Sequence, residues 1–185
     1  MILAVKKENE IAVGISICDC SVDMTEKDLS LADNLPFWKV KGEKDCYVCT
    51  EDLTYATDLL RYNDYVFSGI TDGKSVIKNV LPKIKDLLSE HNQLINNKEW
   101  LNQLLIIKNG KIFRINNYFC VTEIDDYVAL AGESLILGVF DSMVNSQPKE
   151  NILTALRHLE RMRNKTLFPA TIFNYKTKKK KVYFK

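Results

Sequence analysis

The order of patterned segments predicts an α+β protein in which two antiparallel sheets pack together with helices on both outer faces. Short β-rich runs come in hairpin pairs near the start, around residues 37–50, around 104–115 and at the end of the chain. Helically spaced stretches fall between them, so the order reads strands, two helices, strands, two helices, strands. A chain of 185 residues, 46% of them hydrophobic, is long enough for one sizeable core, and no low-complexity linker divides it. A single domain over residues 1–185 is expected.

The first hairpin is read from Ile2 to Lys7 and from Ile11 to Cys18, two β-rich runs separated by Glu8-Asn9-Glu10. Asp19 to Leu35 is polar and reads as a long surface connection. A second hairpin joins Phe37–Val40 to Asp45–Thr50 through Lys41-Gly42-Glu43-Lys44, where the glycine supplies the turn. Thr50 is placed to cap a helix with Glu51 and Asp52 in its first turn and an apolar face of Leu53, Ala56, Leu59 and Leu60, ending near Tyr62-Asn63. A second helical stretch runs from Lys74 to about Gln93, with Pro82 bending it or setting its start.

Asn109-Gly110 between the apolar runs 104–108 and 111–115 is a strong hairpin signal. Tyr118 to Thr122 reads as a further strand. The chain then reaches its organising stretch, Tyr127-Val128-Ala129-Leu130-Ala131-Gly132-Glu133-Ser134, followed by Leu135-Ile136-Leu137-Gly138-Val139-Phe140-Asp141-Ser142. An apolar run of strand type turns at Gly132 and continues with helical spacing through Leu135, Val139 and Met143. Glycine inside a helix costs roughly 1 kcal/mol against alanine, so Gly138 points to a close approach by another element. Pro148 opens a last helix carrying Ile152, Leu153, Leu156, Leu159 and Met162, and the runs 171–175 and 182–184 close the chain as a hairpin.

The pattern strand-Gly-x-Ser-x-x-x-Gly-x-x-Asp-Ser resembles the late strand-to-helix step of proteasome β-type subunits and their HslV-type relatives, in the N-terminal nucleophile (Ntn) hydrolase superfamily. The resemblance runs over nearly the whole chain, although only residues 135–142 are close at residue level. It implies a four-layer αββα sandwich and, for a typical member, amide hydrolysis by an N-terminal threonine, serine or cysteine whose own α-amine acts as general base.

The residues that carry this chemistry are replaced. The family's threonine falls at or just before Met1, and the next residue, Ile2, is too bulky for ordinary removal of an initiator methionine. The orienting aspartate aligns with Ser16, or with Asp19 given a small insertion. The lysine aligns with Pro36, or with Lys39 after a three-residue slip. The serine before the central glycine corresponds to Ala131, and the late aspartate falls near Arg163. The expectation is a noncatalytic member with no cofactor, a self-assembling scaffold or binding module. Its contact faces would be the stretches from Asp52 to Tyr62 and from Ser134 to Asn145. The alternative is a threonine-peptidase-like or other amide hydrolase using a divergent nucleophile such as Ser16, Cys18 or Thr50.

Other chemistry is weaker. Cys46-Tyr47-Val48-Cys49 has metal-motif spacing and, with Cys18 and Cys20, would supply four thiolates. Residues three apart on a strand point to opposite faces, however, so buried free thiols and no metal are expected. His91 and His158 sit on helices outside any nucleophile or metal motif, and take no catalytic role. Lys176, Lys178, Lys179, Lys180 and Lys181 are placed at a hairpin tip, where solvated lysines discourage edge pairing. Without aromatic interleaving outside the strands, and with a net charge of only +2, the sequence does not argue for a nucleic-acid partner. No run of about 18 apolar residues occurs to span a membrane, and the amino terminus lacks the basic leader of a signal peptide. A cytoplasmic protein is expected.

Overall fold

Ten strands and three main helices account for the described part of the chain: residues 1–8, 10–16, 35–51, 54–96, 98–130, 147–163 and 167–184 of a computed structural model. In order they are β1 (Ile2–Lys7), β2 (Glu10–Ser16), β3 (Phe37–Lys39), β4 (Cys46–Thr50) and α1 (Tyr55–Tyr62). After a 3-10 turn at Asp64–Phe67 come a helical turn at Gly73–Ser75, a π turn at Val76–Val80 and α2 (Leu81–Glu90). Then follow β5 (Leu104–Lys108), β6 (Lys111–Ile115), β7 (Val121–Ile124), β8 (Tyr127–Leu130), α3 (Pro148–Arg163), β9 (Ala170–Asn174) and β10 (Lys179–Tyr183). The segment 19–34, Asp52, Leu53, the Gly132 turn and the helix expected after it lie outside the described residues.

The chain divides into two compact units, Met1–Leu35 with Asp125–Lys185, and Pro36–Ile124. In the first, five antiparallel strands are ordered β10-β9-β2-β1-β8. Ile2 stands opposite Ile15 on β2 and opposite Leu130 on β8. The face that carries Leu3, Val5, Ala12 and Ile172 is covered by α3 through Ile152, Leu153, Ala155, Leu156 and Leu159. Each such aliphatic side chain, fully buried, is worth about 1.5–3 kcal/mol. The helix approaches β2 closely: a Cβ on Gly14 would lie 2.3 Å from Ile152 Cγ2. Met162, expected on the apolar face, is exposed. The buried stripe ends at Leu159 and Glu160, whose carboxylate accepts the Leu167 amide at 2.9 Å.

In the second unit the strand order is β3-β4-β5-β6-β7, again antiparallel. Alternation splits β5: Leu104 and Ile106 join the cluster of Leu60, Val66, Phe67, Val80, Ile84 and Leu88 beneath the helices, while Leu105 and Ile107 are buried on the opposite face. The Asn109-Gly110 turn has φ of 52° and 73°, the left-handed pair that a two-residue hairpin of type I′ requires. Pro82 is the second residue of α2, a first-turn position where its missing N–H costs little, and the π turn lies just before it.

Three boundaries differ from expectation. Thr50 does not cap α1. It is the last residue of β4, opposite Leu104, with its N–H on the Pro36 carbonyl at 2.9 Å, and the cap is Thr54, which accepts from Thr57 N. Residues 118–120 are not strand. Asn116 Oδ1 accepts the N–H groups of Tyr118 and Cys120 at 3.0 and 2.9 Å, Phe119 turns with φ 63°, and β7 starts at Val121. Finally, Lys179, Lys180 and Lys181 are not at the hairpin tip. They form β10 itself, paired with Asn174, Phe173 and Ile172, because the turn is made by Lys178 at φ 58° and by Thr177, whose N–H is held by Asn174 Oδ1.

Candidate functional site

Met1 and Ser16, expected from the resemblance at the nucleophile and orienting positions, meet at the open end of the β1–β2 ladder. The register that sets Ile2 opposite Ile15 extends one pair further. The Met1 amine donates to the Ser16 carbonyl and the Ser16 N–H to the Met1 carbonyl, each at 3.0 Å. Paired residues project to the same face. The Met1 side chain accordingly packs on the α3 side, against the cluster of Leu3, Val5 and Ile152. Ser16 is 2% exposed, and its hydroxyl donates to the Leu167 carbonyl at 2.7 Å. The Met1 thioether carries no hydroxyl or thiol and serves here for packing. The first of the pair thus holds a packing group, and the second a hydroxyl engaged with a carbonyl.

Two of the other aligned positions belong to the second unit. Pro36 is buried ahead of β3 in the second unit, its carbonyl accepting from Thr50, and Lys39 is exposed at the end of β3. Ala131, Asp19 and Cys18 lie outside the described residues, and Arg163 ends α3 with its side chain outside them.

Thr50, a candidate nucleophile, is fully buried in a hydroxyl network at the start of α1. Thr57 Oγ1 donates to Thr50 Oγ1 at 3.2 Å, and Asn102 Nδ2 donates to Thr57 Oγ1 at 3.4 Å. These are neutral groups that satisfy one another, the usual condition for burying them. Asn102 also lines a recess of about 230 Å³ with Glu51, Glu99, Leu101, Gln103 and Asn117. Its floor is the buried Trp100. Arg114 fixes Gln103 by two bonds to Oε1, at 3.0 and 2.6 Å. Sequence reading missed this recess because its polar residues come from three separate segments without a motif. Chemically it offers amides and two carboxylates.

Among the described residues Cys46 and Cys49 are buried, while Cys120 and both histidines are exposed. Cys46 lies in the cluster beneath the helices, and Cys49, three residues on, is buried outside that cluster. Burial pushes the Cys46 thiol up to about 12, so it stays protonated and is neither nucleophile nor ligand near neutrality. His91 Nδ1 meets the Tyr55 hydroxyl at 3.3 Å on the surface, and His158 is exposed on α3. Among the described residues no three His, Cys, Asp or Glu side chains gather to share a metal.

No family model and no curated protein matches the chain. Solved structures do. Thiobacillus denitrificans BPH, in its complex with epoxomicin, has a TM-score of 0.69 at 18% identity, covering 94% of this chain and 96% of that one. HslV from Trypanosoma brucei has a TM-score of 0.61 at 11% identity over 94% and 97% of the two chains. Anbu, an ancestral beta-subunit, from Yersinia bercovieri has a TM-score of 0.63 at 11% identity over 100% and 87%. At these identities the likeness shows the fold: α+β, two five-stranded antiparallel sheets with helices, the sandwich of HslV and Anbu. The fold class read from the sequence stands, and the resemblance to the Ntn hydrolase superfamily stands at the level of fold.

Proposed function

We propose that this chain is a noncatalytic protein of the proteasome-like fold, a pseudoenzyme that works in the cytoplasm as a self-assembling scaffold or binding module. The observation that carries this reading is at Ser16: the position expected for an orienting carboxylate holds a buried serine whose hydroxyl donates to the Leu167 carbonyl, and its ladder partner Met1 packs its side chain into the α3 cluster. On the expected alignment Ser16, Pro36 and Ala131 stand where the family mechanism needs other groups, with Asp19 and Lys39 as the alternatives for the first two, and the late aspartate falls near Arg163.

Self-assembly is supported by the outer side of α1. Tyr55 and Tyr62, seven positions apart and so on one helical face, are 57% and 85% exposed, and Tyr65 follows at 60%. Aromatic side chains of this kind are favoured in protein interfaces. The stretch from Ser134 to Asn145 is the second proposed contact face. Among the described residues no helix is long and apolar enough to cross a membrane.

The hydrolase reading is favoured by one observation, that the structurally similar BPH is seen with epoxomicin bound. The two readings separate on one sample. Purified chain is incubated with epoxomicin and its intact mass measured beside a native-mass determination. An unmodified chain in an assembly that is a multiple of 21.3 kDa, and that Tyr62→Glu dissociates, is the expected result. A covalent adduct overturns the noncatalytic reading, and a monomer at every concentration overturns self-assembly.

A further inference from the structure

We propose that the β10 edge of the first unit takes up an extended acidic peptide as an added strand. Two independent features of β10 point to the same occupant. The first is position. β10 ends the strand order, with β9 on one side and no strand on the other among the described residues. Such an edge presents a row of backbone donors and acceptors, the template used in strand addition.

The second is charge, distributed over both faces of the strand. Lys179 and Lys181 stand opposite Asn174 and Ile172, on the α3 side, and Lys180 stands opposite Phe173 on the other side. All three are exposed. Lys149, at the start of α3, reinforces the first face: its Nζ lies 5.8 Å from the centroid of the Tyr183 ring, and that of Lys181 lies 5.4 Å from it. With Lys176 and Lys178 this edge carries six lysines. Glu150 lies 2.8 Å from Lys149 and Glu10 3.9 Å from Lys176, and Lys178 lies over the Tyr175 ring. In a chain whose formal net charge is +2, six lysines on one edge concentrate positive charge here.

Lysines on an edge strand also repel a second copy of the same edge, since like charges directly opposite one another destabilise a strand pair. That repulsion selects rather than closes. An incoming strand with glutamate or aspartate at alternate positions turns each repulsive pairing into an attractive one while using the same backbone groups. A nucleic acid would use the charge but not the backbone edge, and the extended acidic peptide uses both.

The test is fluorescence anisotropy on the full chain with three labelled probes. They are a short peptide alternating glutamate and valine, the same peptide N-methylated at alternate residues so that it keeps its charge but cannot pair as a strand, and oligo-dT. The expected result is binding of the first peptide at low salt. N-methylation and the double variant Lys179→Glu/Lys181→Glu should each weaken it by roughly tenfold or more. Both replaced lysines are exposed, and circular dichroism checks that the variant stays folded. The proposal is overturned if no peptide binds, if the N-methylated peptide binds equally well, if the double variant is indifferent, or if oligo-dT binds as tightly as the peptide. The last outcome makes the edge a general polyanion surface.

Discussion

The Ser16 hydroxyl donates to the carbonyl of Leu167 at 2.7 Å, tying the end of β2 to the segment that enters β9. Leu167 is held from its other side as well, its N–H on Glu160 Oε1 at 2.9 Å. At the position expected to hold an orienting carboxylate, this chain has a bond between the end of β2 and the segment that leads into β9.

Ser16→Ala should therefore destabilise the protein by about 1–3 kcal/mol, because it leaves a buried carbonyl without its donor. Ser16→Asp should cost more near neutral pH, since a carboxylate facing a carbonyl sets acceptor against acceptor. Urea midpoints of the two variants measure this. A Ser16→Asp variant as stable as the parent would mean that the position still accommodates the family's carboxylate, and would weaken the noncatalytic reading.

Gly14 and Ile152 make a second coupled pair. A methyl group at Gly14 falls 2.3 Å from Ile152 Cγ2, on a β-branched side chain that is fully buried and has no flexible end to move aside. Gly14→Ala should cost about 1–3 kcal/mol by displacing α3. In the Ile152→Ala background the same change should cost little, and the coupling in a double-mutant cycle should be about 1 kcal/mol or more. Equal costs in both backgrounds would place the constraint in the backbone of β2 instead.

Local chemistry made much of the fold legible. Asn109-Gly110 names its own turn, and β1, β5 and β6 begin and end where the apolar runs do. Thr50 shows the limit. It and Thr54 are equally good caps, and the choice was made by the β4–β5 ladder, which takes Thr50 into the sheet through its pairing with Leu104. The three lysines of β10 have poor strand propensity, yet β9 and the turn at Lys178 hold them in register. At the candidate site, Met1 and Ser16 were named from the family resemblance, and the short-range hairpin register brings the two together. Leu167, 151 positions from Ser16, and the recess around Asn102 depend on long-range folding that no local pattern encodes.

The ion pair of Glu43 and Lys108 is the clearest case of such hidden structure, and its two halves are not equivalent. Lys108 Nζ lies 2.6 Å from Glu43 Oε2 and 2.8 Å from the Lys44 carbonyl, while Glu43 Oε1 accepts the Gly69 N–H at 3.0 Å. The lysine side chain is 8% exposed and the glutamate side chain 22%. Removing Glu43 strands a buried ammonium, so Glu43→Ala should cost about 3 kcal/mol, whereas Lys108→Met leaves a carboxylate that water and Gly69 still reach and should cost less. The Lys108 hydrogen bond, and then the Gly69 amide, hold the Glu43 carboxyl below its ordinary 4.5. Because the folded value is the lower one, this stabilisation is fully present above the unfolded value and is lost as pH falls through the folded one. Urea unfolding at pH 7 and at steps below pH 4.5 should show the parent losing stability on acidification and Glu43→Gln losing less. If the two slopes are the same, the acid sensitivity belongs to other carboxylates and the pair serves only to seat the 41–44 turn against Gly69.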